Sequence, residues 1–464
     1  MARTIPIVPA NAQGDARVYA RSVKGWFAGW RWALVAFTQA LFYGLPWLTW
    51  NGRQAVLFDL DARRFHILGF TFTPQDFILL TLLLAVCALS LFLFTAIAGR
   101  LWCGYACPQT VYSELFQWIE RRTEGDRAAR LRRDRGPRNA DWWARKLAKH
   151  GLWLMLAAWT GFTFVGYFVP IRTLGGELIA GTLAAGATFW IGFYALATYG
   201  NAGWLREKVC KYMCPYARFQ GVMFDRDTLT VTYDVARGEP RGARRHSVKP
   251  ALGQGACVDC TLCVQVCPTG IDIRQGLQYA CIGCAACIDA CNGMMDRVGQ
   301  ARGLIRYGTE SGLSLRDTPR AWLARLWRVR VLCYAAVLGV LLALLATGLS
   351  TRTPLKADVL RDRAVLSRVL DDGGIENLYR LHLTHAGEAP LNLRIAVDGL
   401  AGITLPADEG HARIGAQANA TLILHARLPA DADVPAGTHP ITFRITEERH
   451  DGLAIDAASS FVIR

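Results

Sequence analysis

Eight cysteines between Cys257 and Cys291 carry the strongest chemical signal in the sequence. They form two runs with the same spacing, C-x2-C-x2-C-x3-C, the first beginning at Cys257 and the second at Cys281. This spacing is typical of proteins that hold two [4Fe–4S] clusters, in which the fourth cysteine of each run ligates the other cluster. The predicted ligands are Cys257, Cys260, Cys263 and Cys291 for the first cluster, and Cys281, Cys284, Cys287 and Cys267 for the second.

Two other uses of cysteine fit this tract less well. Zinc sites usually combine two cysteine pairs that are set well apart, and disulfide frameworks are typical of small secreted domains. Each run here has four cysteines at short intervals, and Pro268 follows the first run and turns the chain. The pattern therefore favours twin clusters, which together form a short path for single electrons.

A second cysteine pattern, C-x3-C-P, occurs twice. It comprises Cys103 and Cys107 in one copy and Cys210 and Cys214 in the other. If each segment is helical, residues four apart place both thiols on one face, and the following proline begins or breaks a helix. The four thiols are candidates for a soft-ion site such as one for Cu(I), or for a dithiol that cycles with a disulfide. The alternative is that they are small packing residues or pairs that never meet.

Apolar runs predict the elements that position these cysteines. Hydrophobic residues make up 52% of the 464-residue chain, which favours a membrane protein with soluble parts. The five predicted spans are Trp32–Trp50, Phe77–Ala98, Leu152–Val169, Leu178–Tyr199 and Val331–Leu349. Each C-x3-C-P copy follows a pair of spans, which suggests an internal duplication.

Charge predicts the orientation of the spans. Residues 100–150 carry twelve Lys and Arg, residues 203–330 carry nineteen against eleven Asp and Glu, and the tail after Ser350 has a net charge of −3. By the positive-inside rule, residues 1–30, 100–150 and 203–330 are cytoplasmic, and the tail is periplasmic. The net charge of +15 is then explained by topology and anionic lipid headgroups, without a role in nucleic-acid binding.

The last 110 residues predict a different fold. Short alternating patterns such as Leu391/Leu393/Ile395/Val397 are separated by turn residues, as in an immunoglobulin-like β-sandwich. The predicted fold is therefore a polytopic α-helical membrane protein with a cytoplasmic ferredoxin-like domain and a C-terminal Ig-like domain. The predicted divisions are an N-terminal segment 1–30, helices 1–4 in 31–202, the twin-cluster domain 203–330, helix 5 in 331–350, and the Ig-like domain 351–464.

This combination of motifs resembles the FixG/RdxA/CcoG family, membrane accessory proteins of cbb3-type cytochrome c oxidase assembly. The resemblance covers nearly the whole chain and includes both C-x3-C-P elements, the cluster tract and the Ig-like tail. It implies reduction of Cu(II) to Cu(I) as a metal-ion oxidoreductase, with two [4Fe–4S] clusters as cofactors. The implied partners are the oxidase assembly machinery, a copper chaperone or transporter, and an electron donor that the sequence does not identify. Cys103, Cys107, Cys210 and Cys214 are then the candidate copper or dithiol site.

Two other functions remain open at this point. The membrane core is also similar to quinol-dehydrogenase-like subunits, which implies an electron conduit from quinol through the clusters to a respiratory reductase. A third hypothesis is a redox sensor that uses the Ig-like domain outside the cell membrane and has no turnover. A response of the reduced clusters to Cu(II) or to a quinone analogue would discriminate between the first two.

Overall fold

The computed structural model describes residues 18–243, 253–314, 326–362, 367–448 and 453–463. The chain divides into two compact units. One unit comprises Met1–Phe58 and Leu80–Leu345, and the other comprises Asp59–Leu79 and Ala346–Arg464. Residues 1–17, part of the predicted N-terminal segment 1–30, lie outside the described residues.

Fourteen helices are found in the described residues. Their bounds are α1 Trp26–Gly44, α2 Phe77–Ala98, α3 Leu101–Tyr105, α4 Pro108–Glu124, α5 Arg127–Arg135, α6 Ala140–Val165, α7 Ile171–Ala180, α8 Ala185–Thr198, α9 Pro215–Met223, α10 Val235–Gly238, α11 Leu262–Gln265, α12 Ala286–Arg297, α13 Glu310–Ser314 and α14 Val329–Ser350. Short 3-10 turns cover Leu45–Trp47, Pro74–Asp76 and Ile273–Gln275, and π-helices cover Tyr199–Leu205 and Val209–Met213.

Among the described residues, two helices, α2 and α14, are long and apolar enough to cross a membrane. Each has 22 residues, and at 1.5 Å per residue this gives about 33 Å, close to the thickness of the hydrocarbon core. Helices α1 and α6 coincide with two further predicted spans, but α1 contains Arg31 and the first half of α6 is basic. Five spans therefore stay a prediction for the described part of the chain.

The predicted fourth span is not one continuous helix. Helices α7 and α8 are separated at residues 181–184, and their axes differ by 100°. Gly181 ends α7 in the left-handed conformation with a φ of 71°, which glycine adopts without the steric cost that a side chain would bring. The pair is thus a broken span or a re-entrant segment, and the sequence prediction of a single helix over Leu178–Tyr199 was wrong.

The cysteine tract folds into a small domain on a two-stranded sheet. Strand β6 (Thr230–Tyr233) pairs antiparallel with β7 (Ile305–Gly308), with Val231 opposite Tyr307. Buried residues of this sheet, of α12 and of the loops between them form one core, which includes Val231, Ile288, Met295, Leu304 and Ile305. The two cysteine runs wrap around this core.

The C-terminal unit contains a sandwich of two antiparallel sheets. One sheet has the strand order β13-β10-β8, with β9 also paired to β10, and the other has the order β12-β11-β14-β15. Side chains of both sheets, such as Tyr379, Leu393 and Phe443, form one buried cluster. The sandwich strands are β8 Leu355–Arg361, β9 Arg368–Val369, β10 Ile375–His385, β11 Leu391–Asp398, β12 His411–Ile414, β13 Asn419–Leu428, β14 Gly437–Glu447 and β15 Ala454–Ile463. The remaining strands are β1 Thr49–Trp50, β2 Arg53–Gln54, β3 Val56–Asp59, β4 Arg64–Ile67 and β5 Phe70–Phe72.

Candidate iron–sulfur and thiol site

The two cysteine runs share one backbone device. Thr261, after the second cysteine of the first run, has φ 56° and ψ 7°, and Ala285, at the same place in the second run, has φ 58° and ψ 10°. A left-handed residue that is not glycine is uncommon and costs energy, and such residues concentrate at functional sites. Each one turns the chain sharply into a helix, α11 or α12, that carries the third cysteine of its run.

A cavity lies beside the first cysteine run. It is bordered by core residues including Tyr233, Met295 and Ile305. Four cysteines line it, and they are the set that the spacing assigns to the first cluster: Cys257, Cys260, Cys263 and Cys291.

A second cavity lies beside the second cysteine run. Its wall is completed by apolar residues such as Val231, Ile271 and Ile282, and by Thr269, whose hydroxyl lies 3.2 Å from the Cys267 thiol. Five cysteines line it. Cys267, Cys281, Cys284 and Cys287 are the set assigned to the second cluster, and Cys263 belongs to the set assigned to the first.

These cavities fit an iron–sulfur cluster in their donor set. Four thiols line the first space and five line the second, and thiolates are the ligands of [4Fe–4S] clusters. Within the described residues, no three His, Cys, Asp or Glu side chains are arranged to hold a single metal ion. Cysteines around an open space are suited to a group wider than one ion. The apolar walls also raise the pKa of the Cys263 and Cys291 thiols to about 12 through burial, a cost that bound iron would offset.

Each C-x3-C-P copy crosses the start of a helix. Cys103 lies in α3 and Cys107 precedes α4, whose first residue is Pro108. Cys210 lies in a π-helix and Cys214 precedes α9, whose first residue is Pro215. The prediction that each proline begins a helix is confirmed. The cysteine pairs, however, do not share one continuous helix, because Cys107 and Cys214 have extended backbone.

The four thiols of the two copies lie within electrostatic reach of one another, although no three of them are arranged to hold one metal ion in the described residues. Cys103 interacts with Cys107 and Cys214, and Cys210 interacts with the other three. Burial and these neighbours raise the pKa of Cys103 to about 11 and that of Cys210 to about 12, so both thiols are neutral near pH 7. None of the four forms a disulfide, and a metal ion that bound Cys103 or Cys210 would displace a proton. We call these four residues the thiol group.

The thiol group lies directly against the second cysteine run. A Cβ atom on Gly104 would stand 2.8 Å from the Cα of Cys284 and 2.9 Å from its nitrogen, so glycine alone permits this approach of two backbones. Cys103 also packs against the buried cluster that contains Ile282 and Cys284. The Tyr307 hydroxyl donates to the carbonyl oxygen of Gly283 and holds the same loop.

Buried ion pairs position the segment that leads to Cys210. Arg206 has a φ of 43° and links the two π-helices, which are often found at functional sites. Its guanidinium forms two hydrogen bonds with the Glu120 carboxylate, at 2.6 and 3.1 Å, and its Nε donates to the Gly203 carbonyl. These contacts hold Arg206 in place and so fix the direction of the chain from Arg206 to Glu207 and Cys210.

A polar cavity opens between the thiol group and the second cysteine run. Cys210 and Thr269 line this cavity, and Thr269 lies two residues after Cys267 in the chain. Pro268 and Ile282 are its apolar lining residues. Arg31 and Arg206 in the wall are each paired with a carboxylate. Burial raises the pKa of the Glu207 carboxyl, which also interacts electrostatically with Arg206, Lys211 and Lys208. We call this space the polar cavity.

Sequence reasoning did not identify Arg100, Gly104 or Glu207. Arg100 lies three residues before Cys103, and Glu207 lies three residues before Cys210. Their proximity to the motifs was visible, but a charged residue near a predicted span is usually explained by membrane topology. Only the packing of the second cysteine run on the thiol group distinguishes these three residues from others near the predicted spans.

Family models match three parts of the chain. A 4Fe-4S dicluster domain matches residues 205–310, and a 4Fe-4S binding domain matches residues 80–125. The model for the IG-like fold at the C-terminal of FixG matches residues 345–464. The chain therefore contains ferredoxin-like iron–sulfur domains and a FixG-type Ig-like domain, together with two or three apolar helices.

Three curated relatives are similar over much of their length. Protein RdxA of Cereibacter sphaeroides is 40% identical over 93% of this chain and 92% of its own. Nitrogen fixation protein FixG of Rhizobium meliloti is 37% identical over 84% of this chain and 80% of its own. Ferredoxin-type protein NapH of Escherichia coli is 22% identical over 56% of this chain and 82% of its own. The chain belongs to the FixG/RdxA family of iron–sulfur proteins.

Proposed function

We propose that this chain reduces Cu(II) to Cu(I) in the bacterial inner membrane and supplies the assembly of a cbb3-type cytochrome c oxidase. In this proposal residues 203–330 are cytoplasmic, and the Ig-like domain binds a partner in the periplasm. The copper comes from, or passes to, a chaperone or transporter. The more general property, a membrane iron–sulfur protein that transfers electrons, follows from the family.

The observation that carries the proposal is the contact between the thiol group and the second cysteine run. Gly104, inside the first C-x3-C-P copy, packs on the backbone of Cys284. The thiols of all four C-x3-C-P cysteines lie within electrostatic reach of one another. A set of soft ligands thus lies next to the predicted exit of the electron path.

The chemistry of copper matches this arrangement. When bound, the two clusters supply single electrons, and Cu(II) needs one electron to become Cu(I). Thiolates are soft ligands that select Cu(I), so the thiol group favours the product state. The balance is one electron gained by Cu(II) and one lost by the reduced protein, which a soluble one-electron carrier then re-reduces. Each thiol that binds Cu(I) as thiolate releases its proton to water.

The polar cavity supports a route for the ion to the thiols. Its wall contains the carboxyl of Glu207 and the thiol of Cys210. A carboxylate is a hard ligand and suits Cu(II), whereas the thiol suits the reduced ion. The ion would therefore meet Glu207 before the thiol group.

Replacement of the thiols tests the proposal. The protein is purified without oxygen, its clusters are reduced with dithionite, and excess reductant is removed before Cu(II) is added. We expect Ser at Cys103, Cys107, Cys210 and Cys214 together to slow Cu(II)-dependent reoxidation of the clusters at least tenfold. The matched control is Ser at Cys87 and Cys333, two exposed thiols on the apolar helices α2 and α14. Equal rates in both variants would refute the assignment of the thiol group.

A second candidate is a conduit from quinol to a respiratory reductase. The similarity to ferredoxin-type protein NapH supports it. Quinone sites are usually lined by apolar and aromatic side chains, whereas the polar cavity has no aromatic residue in its wall. Reoxidation of the reduced clusters by a soluble quinone analogue, but not by Cu(II), would favour this candidate.

A further inference from the structure

Arg100 is a buried cation between the thiol group and the second cysteine run. Its guanidinium donates to the carbonyl oxygen of Cys281 over 3.1 Å, and to those of Tyr279 and Ala217. The carbon Cζ also lies 4.9 Å from the ring centroid of Tyr279. One positive charge is thus held against the backbone of a predicted ligand of the second cluster.

No carboxylate neutralises this charge within the part of the chain that the structure describes. Arg100 is 8% exposed, its three hydrogen-bond acceptors are neutral carbonyls, and its Nε has no partner. The charge acts on thiols of both groups, since it interacts electrostatically with Cys103, Cys210 and Cys281. A charge in such surroundings is screened much less than one in water.

The cations near the other predicted ligands are compensated or solvated. Arg274, beside Cys263, is paired with Asp272 at 2.7 Å and with Asp259. Arg237, which acts on Cys291, is hydrogen-bonded at the exposed carbonyls of residues 301 and 302. The chain therefore surrounds the two cavities with unequal charge.

The second cavity has one further cation. Arg31 acts on Cys284, but its guanidinium is paired with Glu114. The excess positive charge at this cavity therefore comes from Arg100. A reduced cluster carries one more negative charge than an oxidised one, and a nearby uncompensated cation stabilises the reduced state.

We propose that Arg100 raises the reduction potential of the cluster held by Cys267, Cys281, Cys284 and Cys287 above that of the other cluster. When bound, the two clusters would exchange single electrons, with no bond or proton changing place. The charge of Arg100 would favour the electron on the cluster held by these four cysteines, beside the thiol group. The inference rests on the two clusters and not on copper as the acceptor, so it can hold where the copper proposal fails.

The test is a redox titration of the full-length protein without copper, followed by electron paramagnetic resonance. We expect two midpoint potentials in the unmodified chain. Arg100→Met should lower the higher one, with the ratio of reduced to oxidised cluster changed about tenfold at fixed ambient potential, which is about 59 mV for one electron. The lower midpoint should stay in place. Arg100→Lys, which keeps the charge, should restore most of the shift.

Controls separate the charge from a structural role. Arg302→Gln removes an exposed guanidinium that is paired with Asp296, and should move neither midpoint. Should Arg100→Met fail to retain its iron, Leu277→Glu places a carboxylate in the small cavity that Arg100 and Cys281 line, and should lower the same midpoint. The proposal is overturned by an unchanged higher midpoint, by equal shifts of both, or by a shift of the lower one alone in a variant with full iron content.

Discussion

At the scale of single residues, the site depends on how closely two backbones approach. Gly104 lies between Cys103 and Cys107, and the absence of its side chain allows the Cys284 loop to pack on the motif. Arg100 adds a buried positive charge at the second cysteine run, and Glu207 adds a carboxyl to the wall of the polar cavity beside Cys210. Three residues that are not predicted cluster ligands thus set the spacing and the charge around the thiol group.

Gly104→Ala should weaken the attachment of the second cluster. Its Cβ would lie less than 3 Å from backbone atoms of Cys284, so the loop must shift, and overpacking of this kind costs about 1–3 kcal/mol. The temperature at which the cluster absorbance is lost should fall. The control is Gly293→Ala in helix α12, where no atom lies within 4 Å of the added carbon. Equal stability of the two variants would contradict the close approach.

Glu207→Gln should weaken the capture of Cu(II) without changing the chemistry. Loss of one cation–carboxylate contact worth about 1.4 kcal/mol is a tenfold change in affinity, so KM for Cu(II) should rise about tenfold while kcat is kept. The control is Glu310→Gln, because the half-buried carboxylate of Glu310 pairs with Arg226 away from the polar cavity lining. A fall in kcat at unchanged KM would argue against a role in entry.

The metal-binding residues were predictable from spacing, whereas their neighbours were not. Repeated C-x2-C-x2-C-x3-C and C-x3-C-P patterns name twelve cysteines without any coordinates. The approach of Gly104 to Cys284 joins residues 180 positions apart in the chain, and no local pattern encodes it. Tertiary packing also decides which of many arginines is buried without a carboxylate.

At the scale of elements, the cluster domain is joined to the first helix by a helix cap. The carboxylate of Asp289, between Cys287 and Cys291 in α12, accepts hydrogen bonds from the amides of Phe27 and Ala28 at the start of α1. The amides at a helix start lack partners within the helix, and an aspartate there satisfies them and complements the helix dipole. Helix α12 thus carries two cysteines and also caps the start of helix α1.

Asp289→Ala should destabilise the chain by about 1–2 kcal/mol, the usual cost of a lost helix cap. Asp289→Asn should cost less, because its amide oxygen still accepts a hydrogen bond. Thermal unfolding followed by tryptophan fluorescence measures both. Asp296→Ala, which removes an exposed partner of Arg302 near the end of the same helix, should change little. Identical behaviour of the Ala and Asn variants would contradict the capping role.

Periodicity predicted the elements better than their ends. The apolar run Phe77–Ala98 coincides with α2, and the alternating tail forms the two sheets of the sandwich. The helix predicted over Leu178–Tyr199 is broken in the structure. Hydrophobicity alone does not reveal the left-handed Gly181 or the π-helix that interrupt it. The conformation of the local backbone, rather than composition, therefore decides where this helix ends.

At the scale of the whole molecule, the charge distribution predicts which parts lie on each side of the membrane. The basic loop 100–150 and the cluster domain are expected in the cytoplasm, and the acidic tail in the periplasm. Alkaline phosphatase is active only in the periplasm. A fusion after the C-terminus should therefore be active, whereas a fusion at the exposed Gly136 in the basic loop should be inactive. The reverse pattern would move the clusters to the periplasmic side and contradict the proposal.

The most direct test of copper reduction compares two stoichiometries in one cuvette. Under anaerobic conditions, the dithionite-reduced and desalted protein is mixed with Cu(II) in the presence of a chelator specific for Cu(I). We predict that cluster absorbance recovers and that one Cu(I) appears for each electron lost by the clusters. If the clusters stay reduced with Cu(II) present, the copper proposal is wrong, and rapid reoxidation by a quinone analogue would then support the electron conduit in its place.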